Sequence, residues 1–254
     1  MKKIIFVLFL FFSVVLFPNC KKETFEINTQ KQTEGTGVLK QKIFVSDVNS
    51  NQAQATINYE YFDNGKLKKT SYSHSDGVDL SYSDYEYNSE NQLEKIIDYT
   101  ANSDSVVDFV NLTSHRLEYS NDGLKSKEII NHPVIGTSEY ITFEYNNEDE
   151  LIKESYYNSD NQLNNYYTFK YDEFDNILKG TTYSNTDEQT GETLHYYKNN
   201  MLVKSDVYIL GKDRVHLEQI LKTYDDNNNI IMLQSNILWG ASSRSSSIIK
   251  FIYK

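Results

Sequence analysis

Hydrophobic and polar residues alternate along much of the chain, and the alternation recurs in segments of similar length. In one segment, Ile141, Phe143 and Tyr145 alternate with Thr142 and Glu144. A period of two with aromatic residues on one side predicts a half-buried β-strand. Asp, Asn or Gly residues come after the closing tyrosine, and they tolerate the left-handed backbone conformations of a tight turn. Because a second run of strand-forming residues follows, each segment predicts a β-hairpin.

One tyrosine in each segment, which we call the anchor tyrosine, defines a repeat. Successive anchors are separated by 26, 32, 26, 26, 26, 27 and 29 residues, and an aliphatic residue follows each of the first seven after five or six positions. The anchors are Tyr61, Tyr87, Tyr119, Tyr145, Tyr171, Tyr197, Tyr224 and Tyr253, and the aliphatic residues are Leu67, Leu93, Leu124, Leu151, Ile177, Leu202 and Ile230. A regular series of this kind indicates a repeat architecture.

The repeats predict an all-β domain over residues 38–254, built of about seven tandem antiparallel β-hairpins with a period of about 26 residues. A lone hairpin is marginal in water, whereas neighbouring hairpins can share an apolar face. Because a twisted open sheet of more than about ten strands usually curls, we expect one curved or spiralling sheet. A lysine two residues after most of the aliphatic residues is predicted to lie on the same face and to cover the aromatic rows.

The segment FKYDEFDNILKGTTY, at residues 169–183, resembles the YD repeat of bacterial RHS proteins. That repeat consists of an aromatic residue, a Tyr-Asp pair, a short turn and a hydrophobic residue that opens the next strand. The pair is present at Tyr171-Asp172 and Tyr224-Asp225, and as Tyr-Asn at Tyr87-Asn88 and Tyr145-Asn146. The resemblance covers about Tyr59 to Lys254 and implies hairpin repeats, although seven hairpins are too few for the shell with which long YD arrays enclose a cargo.

The first residues of the chain predict an export signal. Two lysines precede an apolar run of 14 residues from Ile4 to Phe17, which is shorter than the roughly 20 residues that a spanning helix needs. The following LFPNC resembles the lipobox of bacterial lipoproteins, and Cys20 is the one cysteine of the chain. The resemblance implies a signal peptide over residues 1–19 and acylation of Cys20, for example with palmitate. An ordinary secretory signal with an incidental cysteine is the alternative.

The segment 20–37 is polar and nearly devoid of aliphatic residues, which predicts a flexible tether between Cys20 and the repeat domain. A net charge of −11 disfavours nucleic acid and anionic lipid as partners, because both are bound through Lys and Arg. We therefore expect the chain to reach the lipid bilayer through acylated Cys20. These features together predict an outer membrane lipoprotein that faces the periplasm or the cell surface.

Few residues of the sequence predict chemistry. The five histidines stand in unrelated contexts without the spacing of metal ligands, and the sequence contains neither a phosphate-binding loop nor a nucleophile elbow. Asp225–Asn229 offers oxygen atoms at alternate positions, as calcium loops do. However, Ile230 stands where such a loop requires glycine, and the segment occupies a turn of the repeat. The sequence therefore predicts no metal site and no cofactor.

Tyrosine is abundant, with 21 copies. A row of tyrosines can bury its rings and present its hydroxyl groups to a sugar or a protein, although a sheet stabilised by cross-strand pairs needs the same residues without any ligand. The candidate ligand contacts are Tyr99, Tyr157 and Tyr183. We expect a lipid-anchored, non-catalytic protein of the cell envelope whose repeat sheet is a binding or scaffolding surface for a glycan or protein ligand along the aromatic rows.

An enzyme or accessory factor that acts on envelope polysaccharide is the alternative, with its site on the concave face of the sheet. Catalytic carboxylates would interrupt the repeat pattern, and the longest interval between anchors contains an irregular stretch from Asp98 to His115. Asp104 and Asp108 lie in this stretch, but the sequence reveals no companion acid for them.

Overall fold

The protein is described by a computed structural model that covers residues 38–45, 52–102, 105–238 and 245–253. The predicted signal peptide, Cys20 and the tether lie outside the described residues. Within the described ranges, every regular element is a β-strand and each strand pairs with its neighbours in antiparallel orientation. The prediction of an all-β chain is therefore confirmed.

Sixteen strands follow one another in chain order, and the first pairs with the last, so that the sheet closes into a barrel. The strands are β1 (Leu39–Val45), β2 (Ala55–Tyr61), β3 (Leu67–His74), β4 (Asp79–Tyr87), β5 (Leu93–Asn102), β6 (Ser105–Tyr119), β7 (Lys125–His132), β8 (Thr137–Tyr145), β9 (Leu151–Tyr157), β10 (Leu163–Tyr171), β11 (Ile177–Ser184), β12 (Gln189–Lys198), β13 (Met201–Leu210), β14 (Arg214–Tyr224), β15 (Ile230–Ile237) and β16 (Ser245–Tyr253).

The hairpin that begins at Tyr171 illustrates the repeated unit. Asp172 and Asn176 close its turn through a 2.9 Å backbone hydrogen bond from the Asp172 amide to the Asn176 carbonyl, and Asp175 adopts a φ of 62°. Asp and Asn tolerate this left-handed conformation better than other residues with a Cβ atom. Tyr171 pairs with Ile177, and a β-bulge lies beside this pair in all seven predicted hairpins. The prediction of hairpins with tight turns is confirmed.

The barrel closes through an eighth unit that is shared between the first and last described strands. Tyr253 of β16 pairs with Leu39 of β1, and a bulge next to this pair repeats the geometry of the seven hairpins. Leu39 therefore supplies the aliphatic residue that is missing after the eighth anchor. An open sheet would have left β1 and β16 as unpaired edges, which natural sheets avoid. The prediction of about seven repeats in a curved or spiralling sheet is wrong, because eight units form a closed ring.

A ring of tyrosine hydroxyl groups joins the units. Each anchor tyrosine donates a hydrogen bond to the backbone carbonyl at the aliphatic position of the preceding unit, with oxygen–oxygen distances between 2.6 and 3.1 Å. The pairs are Tyr61 to Leu39, Tyr87 to Leu67, Tyr119 to Leu93, Tyr145 to Lys125, Tyr171 to Leu151, Tyr197 to Ile177, Tyr224 to Leu202 and Tyr253 to Ile230. The anchors are therefore structural residues.

In the third hairpin, the aliphatic position is occupied by Lys125 and not by Leu124 as predicted. Tyr119 pairs with Lys125, and Tyr145 of the next unit donates to the Lys125 carbonyl. Leu124 precedes this position in the turn, where the Ser120 amide donates to its carbonyl. The prediction placed Leu124 here because its side chain is aliphatic, although the strand register of this hairpin selects Lys125, six positions after the anchor.

We call the side of the sheet that carries the anchor tyrosines the inner face, because all buried hydrophobic residues except Val45 and Ile248 lie there. Two apolar clusters on this face are centred on Leu93 and on Leu151. The opposite side is the outer face. The repeated lysines lie on the outer face, as Lys69 does opposite Glu60, and their predicted position beside the aliphatic residues is wrong. The bulge between the aliphatic residue and the lysine changes the side on which the lysine emerges.

Candidate functional site

The outer face carries three stacked pairs of tyrosines. In each pair, the rings stand directly opposite each other on adjacent strands, with centroids 4.5 to 4.8 Å apart and interplanar angles of 9° to 17°. The pairs are Tyr82 with Tyr99 on β4 and β5, Tyr140 with Tyr157 on β8 and β9, and Tyr166 with Tyr183 on β10 and β11. The three predicted ligand contacts thus occupy the same position in three units.

In each pair, a lysine covers the tyrosine that was not predicted as a ligand contact, which we call the first tyrosine; the predicted contact is the second tyrosine. The ammonium nitrogen lies over the ring of the first tyrosine, 4.0 to 4.8 Å from its centroid, which is the distance of a cation–π interaction. The three contacts are Lys69 on Tyr82, Lys127 on Tyr140 and Lys153 on Tyr166. Each stacked pair, together with its lysine, is therefore a layered arrangement of lysine, first tyrosine and second tyrosine.

The second tyrosines differ from the anchor tyrosines in the hydrogen bonding of their hydroxyl groups. Every anchor hydroxyl is committed to a backbone carbonyl, and the Tyr166 hydroxyl donates to Asp187 at 2.9 Å. By contrast, the hydroxyl groups of Tyr99, Tyr157 and Tyr183 form no hydrogen bond with any described residue. These groups remain available to an external donor or acceptor.

Two of the three pairs lie next to each other. Strands β8 to β11 carry Tyr140, Tyr157, Tyr166 and Tyr183, whereas Tyr82 and Tyr99 lie several strands away along the barrel wall. Partial burial and the hydrogen bond to Asp187 raise the pKa of Tyr166 above its usual value. The four rings, with lysines over Tyr140 and Tyr166, form an extended aromatic surface on this part of the wall.

The inner face contains a second notable group, which we call the His115 network. The His115 Nδ1 lies 2.8 Å from Oε1 of Glu128, and its Nε2 lies 3.2 Å from Oδ2 of Asp98. The other Glu128 oxygen is 2.9 Å from the Lys125 ammonium group, and Thr113 donates to Asp98 at 2.6 Å. Strands β5, β6 and β7 place these side chains side by side on the inner face.

The electrostatics of the His115 network favour a fixed charged state. Burial alone would lower the pKa of His115, but hydrogen bonds to Asp98 and Glu128 raise it to about 9. Burial would raise the pKa of Glu128, but Lys125 and His115 hold it at about 2. A histidine that stays protonated at neutral pH cannot accept a proton as a general base. The network is therefore suited to joining strands β5, β6 and β7.

The His115 network was not predicted from the sequence. His115 was expected to stand in an unrelated context, and Asp98 was only the boundary of an irregular stretch. Asp104 and the side chain of Asp108 lie outside the described residues. The one signal in the sequence was Lys125, a charged residue at a position that is aliphatic in the other units.

The described residues include no group of three or more His, Cys, Asp and Glu side chains that could hold a metal ion. The segment that resembled a calcium loop forms a plain turn, in which Oδ1 of Asp225 accepts hydrogen bonds from the amides of Asn227 and Asn229 at 2.9 and 2.8 Å. In the described part of the chain, no helix is long and apolar enough to cross a membrane.

Comparison with known proteins finds similarity in structure alone. No family model matches the chain, and the search of curated proteins found no match to its sequence. A porin-like protein from Bacteroides uniformis has a similar structure, with a TM-score of 0.56 at 10% identity over 85% of this chain and 98% of that protein. The fold is therefore shared with a porin-like barrel.

Two weaker similarities accompany it. A porin-like protein from Bacteroides vulgatus gives a TM-score of 0.45 at 11% identity, over 85% of this chain and 98% of that protein. The complex TcdB2-TccC3-Cdc42 gives a TM-score of 0.36 at 15% identity, over 76% of this chain and 10% of that chain. TcdB2-TccC3 is an RHS toxin complex with YD repeats, but its similarity is partial and too low to support an argument.

Proposed function

We propose that the protein is a lipid-anchored, non-catalytic protein of the cell envelope, and that its barrel binds a glycan along the outer tyrosine pairs. The barrel would be held at the outer membrane through acylated Cys20 and would face the periplasm or the cell surface. The observation that carries this proposal is the repetition of Tyr99, Tyr157 and Tyr183 in one geometry with uncommitted hydroxyl groups.

The chemistry of the outer face supports a barrel that stands in water. Ion pairs such as Lys153 with Glu144, at 3.3 Å, and Lys95 with Glu86, at 3.8 Å, lie within the strands on this face. A lysine that faces lipid near the bilayer midplane costs about 2–4 kcal/mol. A wall with several such charges is unsuited to the hydrocarbon layer, so a lipid on Cys20 would be the attachment to the membrane.

Stacked tyrosines with available hydroxyl groups match the chemistry of a sugar. The ring packs against the C–H side of a pyranose, and the hydroxyl group exchanges hydrogen bonds with the sugar hydroxyls. The adjacent pairs on β8 to β11 present two such positions on one surface, which favours an extended or repetitive ligand over a single sugar. Weak contacts then add along the ligand through effective concentration.

A glycan array followed by titration would test the binding surface. We expect Tyr157→Ala or Tyr183→Ala to weaken binding of a captured glycan modestly, and the double variant to abolish it. Tyr196→Ala is a matched control, because Tyr196 is an outer-face tyrosine outside the stacked pairs, covered by Lys204 at 3.7 Å. Full binding by the double variant, or an equal loss in Tyr196→Ala, would contradict the proposal.

Detergent phase partition would test the anchor separately. We expect the protein to enter the detergent phase, and Cys20→Ala to move it to the aqueous phase without changing glycan binding by the barrel. Protease treatment of intact cells would then distinguish the cell surface from the periplasm. Unchanged partition of Cys20→Ala would contradict lipid attachment and leave the glycan test unaffected.

A further inference from the structure

Two lysines on the inner face lack the partners that the other inner charges possess. Lys42 projects from β1 and Lys222 from β14, and in the described structure neither ammonium group forms an ion pair or a hydrogen bond. The Lys42 nitrogen lies over the rings of Tyr59 and Phe251, with each centroid 5.4 Å away. Lys125, the corresponding lysine in the His115 network, has a carboxylate at 2.9 Å.

The inner acids provide the same contrast. Asp98 and Glu128 bind His115, Glu154 accepts a hydrogen bond from Tyr156 at 3.0 Å, and Glu218 accepts one from Ser235. Each of these carboxylates thus has a protein partner. A buried charge without a partner is costly, so side chains of this kind are concentrated where a ligand supplies the missing charge.

Strand register shows what lies between the two lysines. Lys222 stands opposite Leu233 on β15, Leu233 stands opposite Ile249 on β16, and Phe251 on β16 stands opposite Lys42. The two ammonium groups therefore flank an apolar strip on the barrel wall. Barrels of sixteen strands can enclose an aqueous channel. On this strip Ile249 and Phe251 are half-buried, whereas Leu233 is buried, so Ile249 and Phe251 are the residues that a ligand could reach.

The charged group that affects the pKa values of Lys42 and His195 is itself basic. Burial and repulsion from Lys222 lower the pKa of Lys42 to about 8, and burial lowers the pKa of Lys222 to about 8. Burial and Lys222 together lower the pKa of His195 on β12 to about 4. No described acid compensates either lysine, and a bound anion would restore the charge balance that the protein lacks here.

We propose that Lys42 and Lys222 form a binding site inside the barrel for a small organic anion with an apolar body. The two ammonium groups attract the negatively charged group from either side of the strip, and Phe251 and Ile249 contact the apolar part. This site is independent of the outer tyrosine pairs, because all of its residues lie on the inner face.

A pair of fluorescent probes tests the site on the purified protein. Anilinonaphthalene sulfonate is an aromatic anion, and phenylnaphthylamine has the same rings without the sulfonate. We expect the wild type to bind the sulfonate roughly tenfold more tightly than the neutral probe, because two charges select the anion. Equal affinities for the two probes would overturn the proposal without any variant.

Charge-removing variants locate the binding. We expect Lys42→Met and Lys222→Met each to weaken sulfonate binding by roughly tenfold and to leave the neutral probe unaffected. Lys222→Arg should retain the preference for the anion, and Lys69→Met on the outer face should change neither affinity. If Lys42→Met and Lys222→Met bind the sulfonate as the wild type does, or lose both probes equally, the proposed site is wrong.

Discussion

Ile177 and Lys125 occupy equivalent positions in two hairpins of the same barrel. Each pairs with its anchor tyrosine, and each accepts a hydrogen bond at its carbonyl from the anchor of the next unit. Their exposed fractions are also alike, at 2% for Ile177 and 4% for Lys125. The backbone of the repeat therefore places either side chain in the same buried position.

The surroundings of the two side chains differ. Ile177 belongs to an apolar cluster with Phe143, Leu151 and Phe169, whereas the Lys125 ammonium group lies 2.9 Å from Glu128 and 3.9 Å from the centroid of the Phe143 ring. The repeat tolerates an ion at an aliphatic position because neighbouring strands supply opposite charge. One unit is thus stabilised by packing and the other by a satisfied charge network.

Removal of Glu128 should have the largest effect on this comparison. Glu128→Gln leaves Lys125 and His115 without their shared carboxylate, and breaking a buried ion pair costs about 3–5 kcal/mol of unfolding free energy. Urea denaturation measures the loss. Glu144→Gln, in the exposed pair with Lys153, is the matched control and should cost less than about 1 kcal/mol. A loss below that of the control would show that the network contributes nothing.

Truncation of Ile177 tests the apolar unit. Ile177→Ala should destabilise the barrel by about 2–5 kcal/mol, and Ile177→Val by about 0.5–1.5 kcal/mol, because both leave a cavity. Leu178→Ala changes the next residue, which is 43% exposed, and should have little effect on the midpoint of denaturation. Similar losses for Ile177→Ala and Leu178→Ala would contradict the packing role.

Alkaline pH should weaken the charged unit selectively. The pKa of His115 is raised from its usual 6.5 to about 9, so its stabilisation is fully present below pH 6.5 and is lost as pH rises through 9. The contribution is about 3 kcal/mol at most. His115→Gln should remove this part of the pH dependence. Denaturation of the wild type and of His115→Gln at pH 6 and pH 9.5 measures this difference. The lowered pKa values of Lys42 and Lys222 give an opposite pH dependence, but it is the same in both proteins and cancels in the comparison. Identical pH dependence of the two proteins would refute the role of His115.

Loss of an anchor hydroxyl should have the smallest effect and should be equal in the two units. Tyr145→Phe removes the hydrogen bond to Lys125, and Tyr197→Phe removes the bond to Ile177. Each should cost about 1 kcal/mol, because the acceptor is a backbone carbonyl in both cases. Tyr183→Phe, whose hydroxyl has no described partner, should leave the thermal midpoint unchanged. Clearly unequal losses at Tyr145 and Tyr197 would show that the side chain at the aliphatic position governs the bond.

The local parts of the fold could be predicted from the sequence. Turns such as Asp172–Asn176 depend on residues close together in the chain, and the anchor series repeats them. Closure could not be predicted, because it depends on Leu39, which precedes every anchor. The side on which the lysines emerge also escaped prediction, since a bulge reverses the alternation without leaving a mark in the residue types.

The candidate site was predictable to a similar extent. Tyr99, Tyr157 and Tyr183 could be selected from the repeat, but their stacking and their uncommitted hydroxyl groups depend on the register between strands. The His115 network and the lysines of the inner face depend on contacts between different strands. In the sequence, the one indication of the His115 network and of the inner-face lysines was the presence of charged residues at positions that the alternation assigns to the buried side of a strand.

The shared eighth unit also determines when the fold can be completed. Leu39 and Tyr253 lie 214 residues apart, whereas Tyr171 and Ile177 are six residues apart. Bringing the distant pair together costs roughly 3 kcal/mol more in chain entropy, and such long-range pairing is slow. Hairpins can therefore form one by one as the chain emerges, but every intermediate exposes two unpaired strand edges. The barrel becomes protected from edge-to-edge association only when its last strand reaches its first.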